Sequence, residues 1–407
     1  MVQVYKNLSQ IVTLTKAFEK DGRKLVPEDL SIINNATVVF DKNEILWVGP
    51  SDNLPSEYSE IEAKDLSGHV LTPELVDSHT HVIFGGNRSE EYTMRLNGAD
   101  YVAIANAGGG ILNTMNGTNS LSSDELFEQA RQRIERIHSY GIGTIEIKSG
   151  YGLNFDKEYE CSHVINRLKI HFEDRVQIIN TYMAAHAVPK QYPSSKEYMS
   201  EVVLPLLKKL GEESIIDAVD IFHEQGYFDS EDTQQLFDLA SIYNIPVKSH
   251  ADEFNDNKGA ILAAKNNALS TDHLLCTGAD GIEALAKSST VATLLPGTGF
   301  FLGKPQAKAR QFLDAGAKVA IASDYNPGSC HCDNLLLVAS IAAPHYKLNI
   351  AELWAAITLN SAHALNLKDQ GAIKIGLKPR FTCFKVSKID EVTYSWGRNL
   401  AISLEGL

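Results

Sequence analysis

Between Val76 and Asp324 the chain alternates short apolar runs with helix-like stretches, and this rhythm constrains the fold more than any other feature. The runs are Val76–His81, Thr144–Lys148, Val176–Ala184, Asp217–Phe222, Pro246–His250, Ser270–Leu274, Val291–Pro296 and Val319–Asp324. Between them lie helical patterns over Ser123–Ser139, Asp156–His171, Ser195–Leu210, Asp232–Ile242 and Lys304–Ala315. In the first, Leu126, Phe127, Ala130, Ile134 and Ile137 share one face at helical spacing. Strands that alternate with helices pair in parallel, and eight of them over roughly 250–300 residues suffice for a closed (β/α)8 barrel. An open doubly wound α/β sheet is the alternative, because periodicity carries no information about closure.

The two ends read differently. Residues 36–48 hold two β-rich runs around the polar turn Asp41-Lys42-Asn43-Glu44, a hairpin signal. Near the C-terminus Gly371–Lys374, Arg380–Val386 and Glu391–Trp396 read as short strands, punctuated by Gly376 and Pro379. Chain ends commonly lie close together, so residues 1–69 and 365–407 are expected to build one small composite β-sandwich domain beside a 70–364 TIM-type barrel.

Composition sets the exclusions. Lys+Arg total 37 and Asp+Glu 51 over 407 residues, a formal net charge of −14. Such a chain lacks the clustered cations that nucleic acid or an anionic membrane surface requires. A cleft can still carry the opposite sign locally, which leaves a small anionic substrate open. Met1–Leu14 shows no basic segment leading into a continuous apolar one, and no stretch reaches about 18 apolar residues. The five cysteines are scattered and odd in number, which fits reduced thiols in the cytoplasm. Cys330-His331-Cys332 is spaced more tightly than a usual zinc half-site and reads as ordinary loop.

Four strand ends carry the chemistry. Side chains two apart on a strand share a face, so His79 and His81 point the same way. Downstream runs end in His250, in His273 and in Asp324. In a parallel barrel these C-terminal ends gather on one rim, where catalytic residues collect. Buried ionisable groups are costly unless paired or bound to metal. His79, His81, His250 and Asp324 therefore form a nitrogen-and-carboxylate set suited to one Zn²⁺ or Fe ion, with Glu253 and His273 beside it as acid/base groups. The alternation of Ile145 and Ile147 turns Glu146 and Lys148 inward, where Lys148 is expected to pair structurally with Glu146.

These segments resemble the amidohydrolase superfamily. Asp77-Ser-His-Thr-His81, His250-Ala-Asp-Glu253, His273 and Ser323-Asp324 carry the general likeness. The likeness narrows at His79–Arg88, Ala107-Gly-Gly-Gly-Ile111, Glu146–Leu153, Ala184-Ala-His-Ala187 and Ser323–Gly328. There the chain is similar to the branch that hydrolyses the ring of 4-imidazolone-5-propanoate in histidine degradation. That resemblance implies a mononuclear metal centre on His79, His81, His250 and Asp324, and catalytic roles for Glu253, His273 and Asp324. It implies that Arg88 holds the substrate carboxylate, that Tyr151, His186 and Glu253 line the pocket, and that Asn326, Gly328 and Ser329 hold ring or product. Gly108-Gly109-Gly110 is followed by no Gly-Lys-Ser/Thr, so it reads as a substrate-covering loop rather than a phosphate cradle.

Two other functions fit parts of this pattern. A purine or pyrimidine deaminase would use the same His250/Glu253/His273/Asp324 arrangement, but Arg88 and Tyr151 suit a carboxylate-tailed ring better than a plain base. An inactive barrel scaffold should have lost ligands, and none is missing. The expected partner is a small molecule carrying a carboxylate, with a homodimer as the default assembly.

Overall fold

The computed structural model describes residues 1–99, 104 and 108–404. Ala107, the first residue of the glycine-rich segment, lies outside the described residues.

Two sheets organise the chain. The first is built from β1 (Gln3–Val12), β2 (Ile32–Phe40), β3 (Ile45–Pro50), β4 (Ala63–Asp65) and β5 (Val70–Pro73). The distant β14 (Phe381–Phe384) and β15 (Ala401–Ile402) complete it. The order is β15-β14-β5-β1-β2-β3, with β4 also pairing to β1. The two ends of the chain therefore meet in one seven-stranded sheet, its core formed by Leu8, Ile11, Val38, Ile45, Leu71, Ile373 and Cys383.

The second sheet comprises β6 (Leu75–Asp77), β7 (Ile142–Lys148), β8 (Gln177–Ala185) and β9 (Ala218–His223). It continues through β10 (Ser249–Ala251), β11 (Ser270–His273), β12 (Val291–Leu294) and β13 (Val319–Ile321). Its eight strands run in sequence order, and the pairs are parallel. Beyond the regular strands, Thr80 bridges Tyr325 in parallel. His81 N donates to Tyr325 O at 2.9 Å and Asp324 N to His79 O at 3.1 Å. These bonds bring the first and last strands together and close the barrel, which sets His79, His81 and Asp324 side by side.

Local chemistry explains the covering helices. Ser122 and Glu125 form a reciprocal capping box at the start of Ser123–Ser139, satisfying amide donors that an uncapped helix would leave bare. Its apolar face, Leu126, Ala130, Ile134 and Ile137, is buried in the main core against Ile142, Ile145 and Ile147. Among the described residues no helix is long and apolar enough to cross a membrane. All five cysteines are free.

Several sequence expectations need correction. Glu391–Trp396 is not a strand; a short helix spans Asp390–Tyr394, its first turn carrying Asp390 and Glu391 where a helix dipole favours acids. Gly371–Lys374 is irregular, because Gly371 turns with φ 90° and only Ile373 N reaches back, to Thr13 O. The helix expected from Lys304 begins at Ala309; residues 304–308 are irregular, and Pro305 disfavours helical angles for Lys304 before it. Ser195–Glu213 is helical but passes through a π-turn at Met199–Val203, just ahead of Pro205, whose missing N–H cannot bond Glu201 O.

Candidate active site

The site forms where the barrel strands end. His79 and His81 follow β6, His250 lies on β10, His273 closes β11, and Asp324 follows β13. Register places His250 opposite Asp272 and Ala251 opposite His273. His273 and Asp324 both take left-handed backbone angles, φ 78° and 52°. For residues with a Cβ this costs about 1–3 kcal/mol each and persists where the surrounding fold imposes it.

One nitrogen each of His79, His81 and His250 lies within 4.8 Å of the others. Asp324 Oδ1 is 3.5 Å from His79 Nε2 and 3.8 Å from His81 Nε2. His79 Nε2 and His250 Nε2 are buried without a hydrogen-bond partner. Burial pushes the His79 and His81 imidazoles well below the ordinary histidine range, so both are neutral with lone pairs free. Three converging histidines with unpartnered ring nitrogens, beside an Asp324 carboxylate held on its other oxygen by Thr298 Oγ1, fit a divalent metal ion.

The ligands rest on a buried ionic layer. His79 Nδ1 donates to Asp272 Oδ2 at 2.6 Å, and His250 Nδ1 lies 3.2 Å from Asp220 Oδ2. Lys148 Nζ contacts Asp220 at 2.5 Å and Glu146 at 2.8 Å; Lys248 Nζ contacts Glu146 at 2.8 Å and Ser78 O at 2.9 Å. Each lysine is also 3.9 Å from Asp272. All five of these side chains are fully buried. Burial works against the Lys148 charge, but Asp220, Glu146 and Asp272 outweigh it and hold the ammonium above the usual lysine range. The pairing expected between Glu146 and Lys148 is present. Lys248, Asp220 and Asp272 do not stand out in the sequence; their signal is inward alternation on three barrel strands.

The proton-transfer candidates flank the cluster. Glu253 Oε2 is 3.7 Å from His273 Nε2. Burial, reinforced by Asp324 and Glu224, pushes Glu253 up to about 8. His273 lies well below the ordinary range, again through burial. His186 stacks on His81 with ring centroids 5.0 Å apart, and its Nδ1 sits 3.1 Å from Gly150 O. Tyr151 lies 5.5 Å from His81 and 5.2 Å from His186. Burial pushes its hydroxyl above the ordinary range, with Asp324 reinforcing and Arg88 opposing. Tyr151 thus sits beside the His81 and His186 rings of the site.

Arg88 packs against the loop after Asp324. A Cβ on Gly328 would lie 1.9 Å from Arg88 Nη1, so only glycine admits this approach. Asn326 Oδ1 accepts from Gly328 N and Ser329 N, both at 2.8 Å, and its Nδ2 donates to Asp324 O at 2.7 Å. Asn326 therefore shapes the loop that presents Gly328 and Ser329. Cys330 is buried beneath this loop, and the His331 ring packs 5.2 Å from Tyr325. The described residues place no metal-type cluster on Cys330-His331-Cys332.

The amidohydrolase family model matches residues 70–400. An imidazolonepropionase of Paracoccus denitrificans (strain Pd 1222) is 39% identical over 370 residues, covering 90% of this chain and 92% of that protein. The chain belongs to the imidazolonepropionase branch of the amidohydrolase family. A second member of the branch, from Bacillus cereus (strain ATCC 14579), is 38% identical over 395 residues, or 96% of this chain and 92% of its own. Among solved structures, a mutant atrazine chlorohydrolase of Arthrobacter aurescens TC1, complexed with zinc and atraton, superposes with a TM-score of 0.71. It is 15% identical and covers 95% of this chain and 88% of its own length, a likeness of fold. Within the branch, the chain is a metal-site hydrolase acting on carbon–nitrogen bonds.

Proposed function

We propose that this enzyme hydrolyses the ring C–N bond of 4-imidazolone-5-propanoate, yielding N-formimidoyl-L-glutamate. The observation that carries the reading is the His79/His81/His250/Asp324 cluster at the barrel end, with Tyr151 5.5 Å from His81 and Arg88 packed on Gly328 of the loop that follows Asp324. The cluster suits an attack on a ring carbonyl. The guanidinium suits a propanoate tail, since it offers paired donors matched to a carboxylate.

Those four residues would hold one Zn²⁺ or Fe ion, which when bound supplies Lewis acidity and makes a water acidic near neutral pH. The protein's own groups then divide the proton work. Asp324 accepts a proton from the attacking water, and the remaining hydroxyl adds to the ring carbonyl carbon. The neutral His273 imidazole faces the developing oxyanion as electrostatic partner. The ring C–N bond breaks, and Glu253 delivers a proton to the departing nitrogen. With its carboxyl raised to about 8, Glu253 carries that proton at neutral pH. One water is consumed, its oxygen ending in the new carboxylate. Asn326, Gly328 and Ser329 shape the wall that Arg88 packs on, and His186 with Tyr151 lines the site beside His81.

We further read residues 1–69 with 365–407 and residues 70–364 as two units that follow the two sheets, with Val70–Pro73 as the strand where they join. Five free thiols are in keeping with a reducing, cytoplasmic setting.

The test is the ultraviolet absorbance of freshly generated imidazolone propanoate, followed with and without chelator. Loss of absorbance that stops on metal removal and returns on adding Zn²⁺ or Fe²⁺ is expected. An inert holoenzyme, or one that deaminates guanine instead, would reject the assignment.

A further inference from the structure

One buried carboxylate near the site is not used by this chemistry. Glu91 lies on the helix Ser89–Leu96, one turn after Arg88, and is 4% exposed. Its Oε2 accepts from Arg88 Nε at 2.9 Å and Nη2 at 2.7 Å. Its Oε1 accepts from Gly110 N and from Asn113 Nδ2, both at 3.2 Å. Four donors therefore converge on one carboxylate, two from Arg88, one from Gly110 at the end of the triglycine and one from Asn113.

This contact also accounts for the triglycine. Gly108 and Gly110 adopt φ of 85° and 83°, angles that side chains rarely take. A Cβ on Gly109 would come within 2.9 Å of the Glu91 carboxyl carbon and of Ile104 O. Gly109 and Gly110 thus bring backbone hard against Glu91. On the opposite side of Arg88, Nη1 lies against Gly328, whose carbonyl accepts from Arg95 Nη1 at 3.0 Å. Glu91 holds the Nε–Nη2 edge of the guanidinium, which leaves the Nη1 side turned toward the Asp324–Ser329 loop.

We propose that Glu91 is a positioning residue that makes the enzyme selective for substrates with a carboxylate tail, by fixing the guanidinium orientation of Arg88 against the triglycine segment. The inference rests on the reading of Arg88 as the tail's partner. Glutamine cannot replace Glu91 in this role. It has one acceptor oxygen for four donors, and its amide N–H₂ must face either the Arg88 edge or the Gly110 and Asn113 pair.

The experiment compares wild type, Glu91→Gln, Gly109→Ala and Arg88→Met on imidazolone propanoate and on its propanamide analogue. Glu91→Gln should raise KM for the propanoate about tenfold or more, the equivalent of roughly 1.4 kcal/mol, with kcat changed less than about threefold. Constants for the propanamide should stay at wild-type values. Gly109→Ala displaces Glu91 without changing any charge and should reproduce the split, so a poorly folding Glu91→Gln does not end the test. Arg88→Met separates the two ideas. If it leaves the propanoate KM unchanged, the reading of Arg88 fails. If it raises KM while folded Glu91→Gln or Gly109→Ala does not, the role given to Glu91 is wrong. A fall in KM on Glu91→Gln would also overturn it, since Glu91 would then be a competing anion. Equal losses on both substrates would mark Glu91 as merely structural.

Discussion

Asp272→Asn perturbs metal binding with little change in shape. Asp272 accepts from His79 Nδ1 at 2.6 Å through Oδ2 and from Ser270 Oγ at 2.6 Å through Oδ1. Asparagine can keep both contacts, its oxygen toward His79 and its amide toward the serine hydroxyl, so the geometry survives while the charge is lost. The buried layer holds three carboxylates, Glu146, Asp220 and Asp272, against two ammoniums, Lys148 and Lys248, a formal charge of 2 − 3 = −1. The substitution takes it to zero, so folding should not collapse. What weakens is the basicity of His79 toward the metal. Removing a carboxylate behind a ligating histidine typically costs about 10–100-fold in metal affinity, or roughly 1.4–2.7 kcal/mol. Competition of apoprotein with a chromophoric chelator for Zn²⁺ reads this directly, and a melting curve of the apoprotein checks that the fold is intact. Affinity within about twofold of wild type would refute the view that Asp272 supports His79 as a ligand.

Three further outcomes are expected. Lys248→Met leaves Glu146 and Asp272 short of one buried cation, and urea unfolding should show a loss of about 3–5 kcal/mol; a loss under about 1 kcal/mol would mean the layer is not held by charge. Glu253→Gln should lower kcat about 10²–10⁴-fold in steady-state assays with metal content unchanged; full turnover, with His273→Ala inactive, would remove Glu253 as proton carrier. His363, on the helix Leu359–His363 away from the cluster, is pushed down to about 4 by burial, with Lys318 adding and Asp21 opposing. Its folded form stays neutral while the unfolded chain takes up a proton below about pH 6.5, so stability falls as pH drops from 6.5 to about 4. At roughly 1.4 kcal/mol per pH unit the loss is about 3 kcal/mol. His363→Gln should flatten that part of the stability–pH curve, and an unchanged curve would sink the assignment.

Legibility in the sequence followed the strength of the local signal. The barrel could be read because each strand is a short apolar run between helices, and its closure could not, because Thr80 meeting Tyr325 is a contact 245 residues apart along the chain. His79, His81, His250 and Asp324 stood out because core packing alone gives a strand no reason to end in a metal-ligating side chain. Lys248, Asp220 and Asp272 did not, because one polar residue inside a strand looks the same whether it meets water or a buried partner. Glu91 reads as an ordinary acid in a helix's first turn; only its meeting with Gly110 and Arg88 shows otherwise. β1 was not anticipated, as its polar and apolar residues lose strict alternation at the irregularity between Tyr5 and Leu8. Glu391–Trp396 misled for the opposite reason, since Val392, Thr393 and Tyr394 favour strands yet sit in a single helical turn.

The most direct test of the central claim follows the atoms of the water. Metal-loaded enzyme is given imidazolone propanoate in heavy-oxygen water, and the product is examined by mass spectrometry while free ammonia is measured. Ring opening predicts one heavy oxygen in the newly formed carboxylate, both ring nitrogens retained and no ammonia released. Ammonia appearing in step with substrate loss would contradict the account.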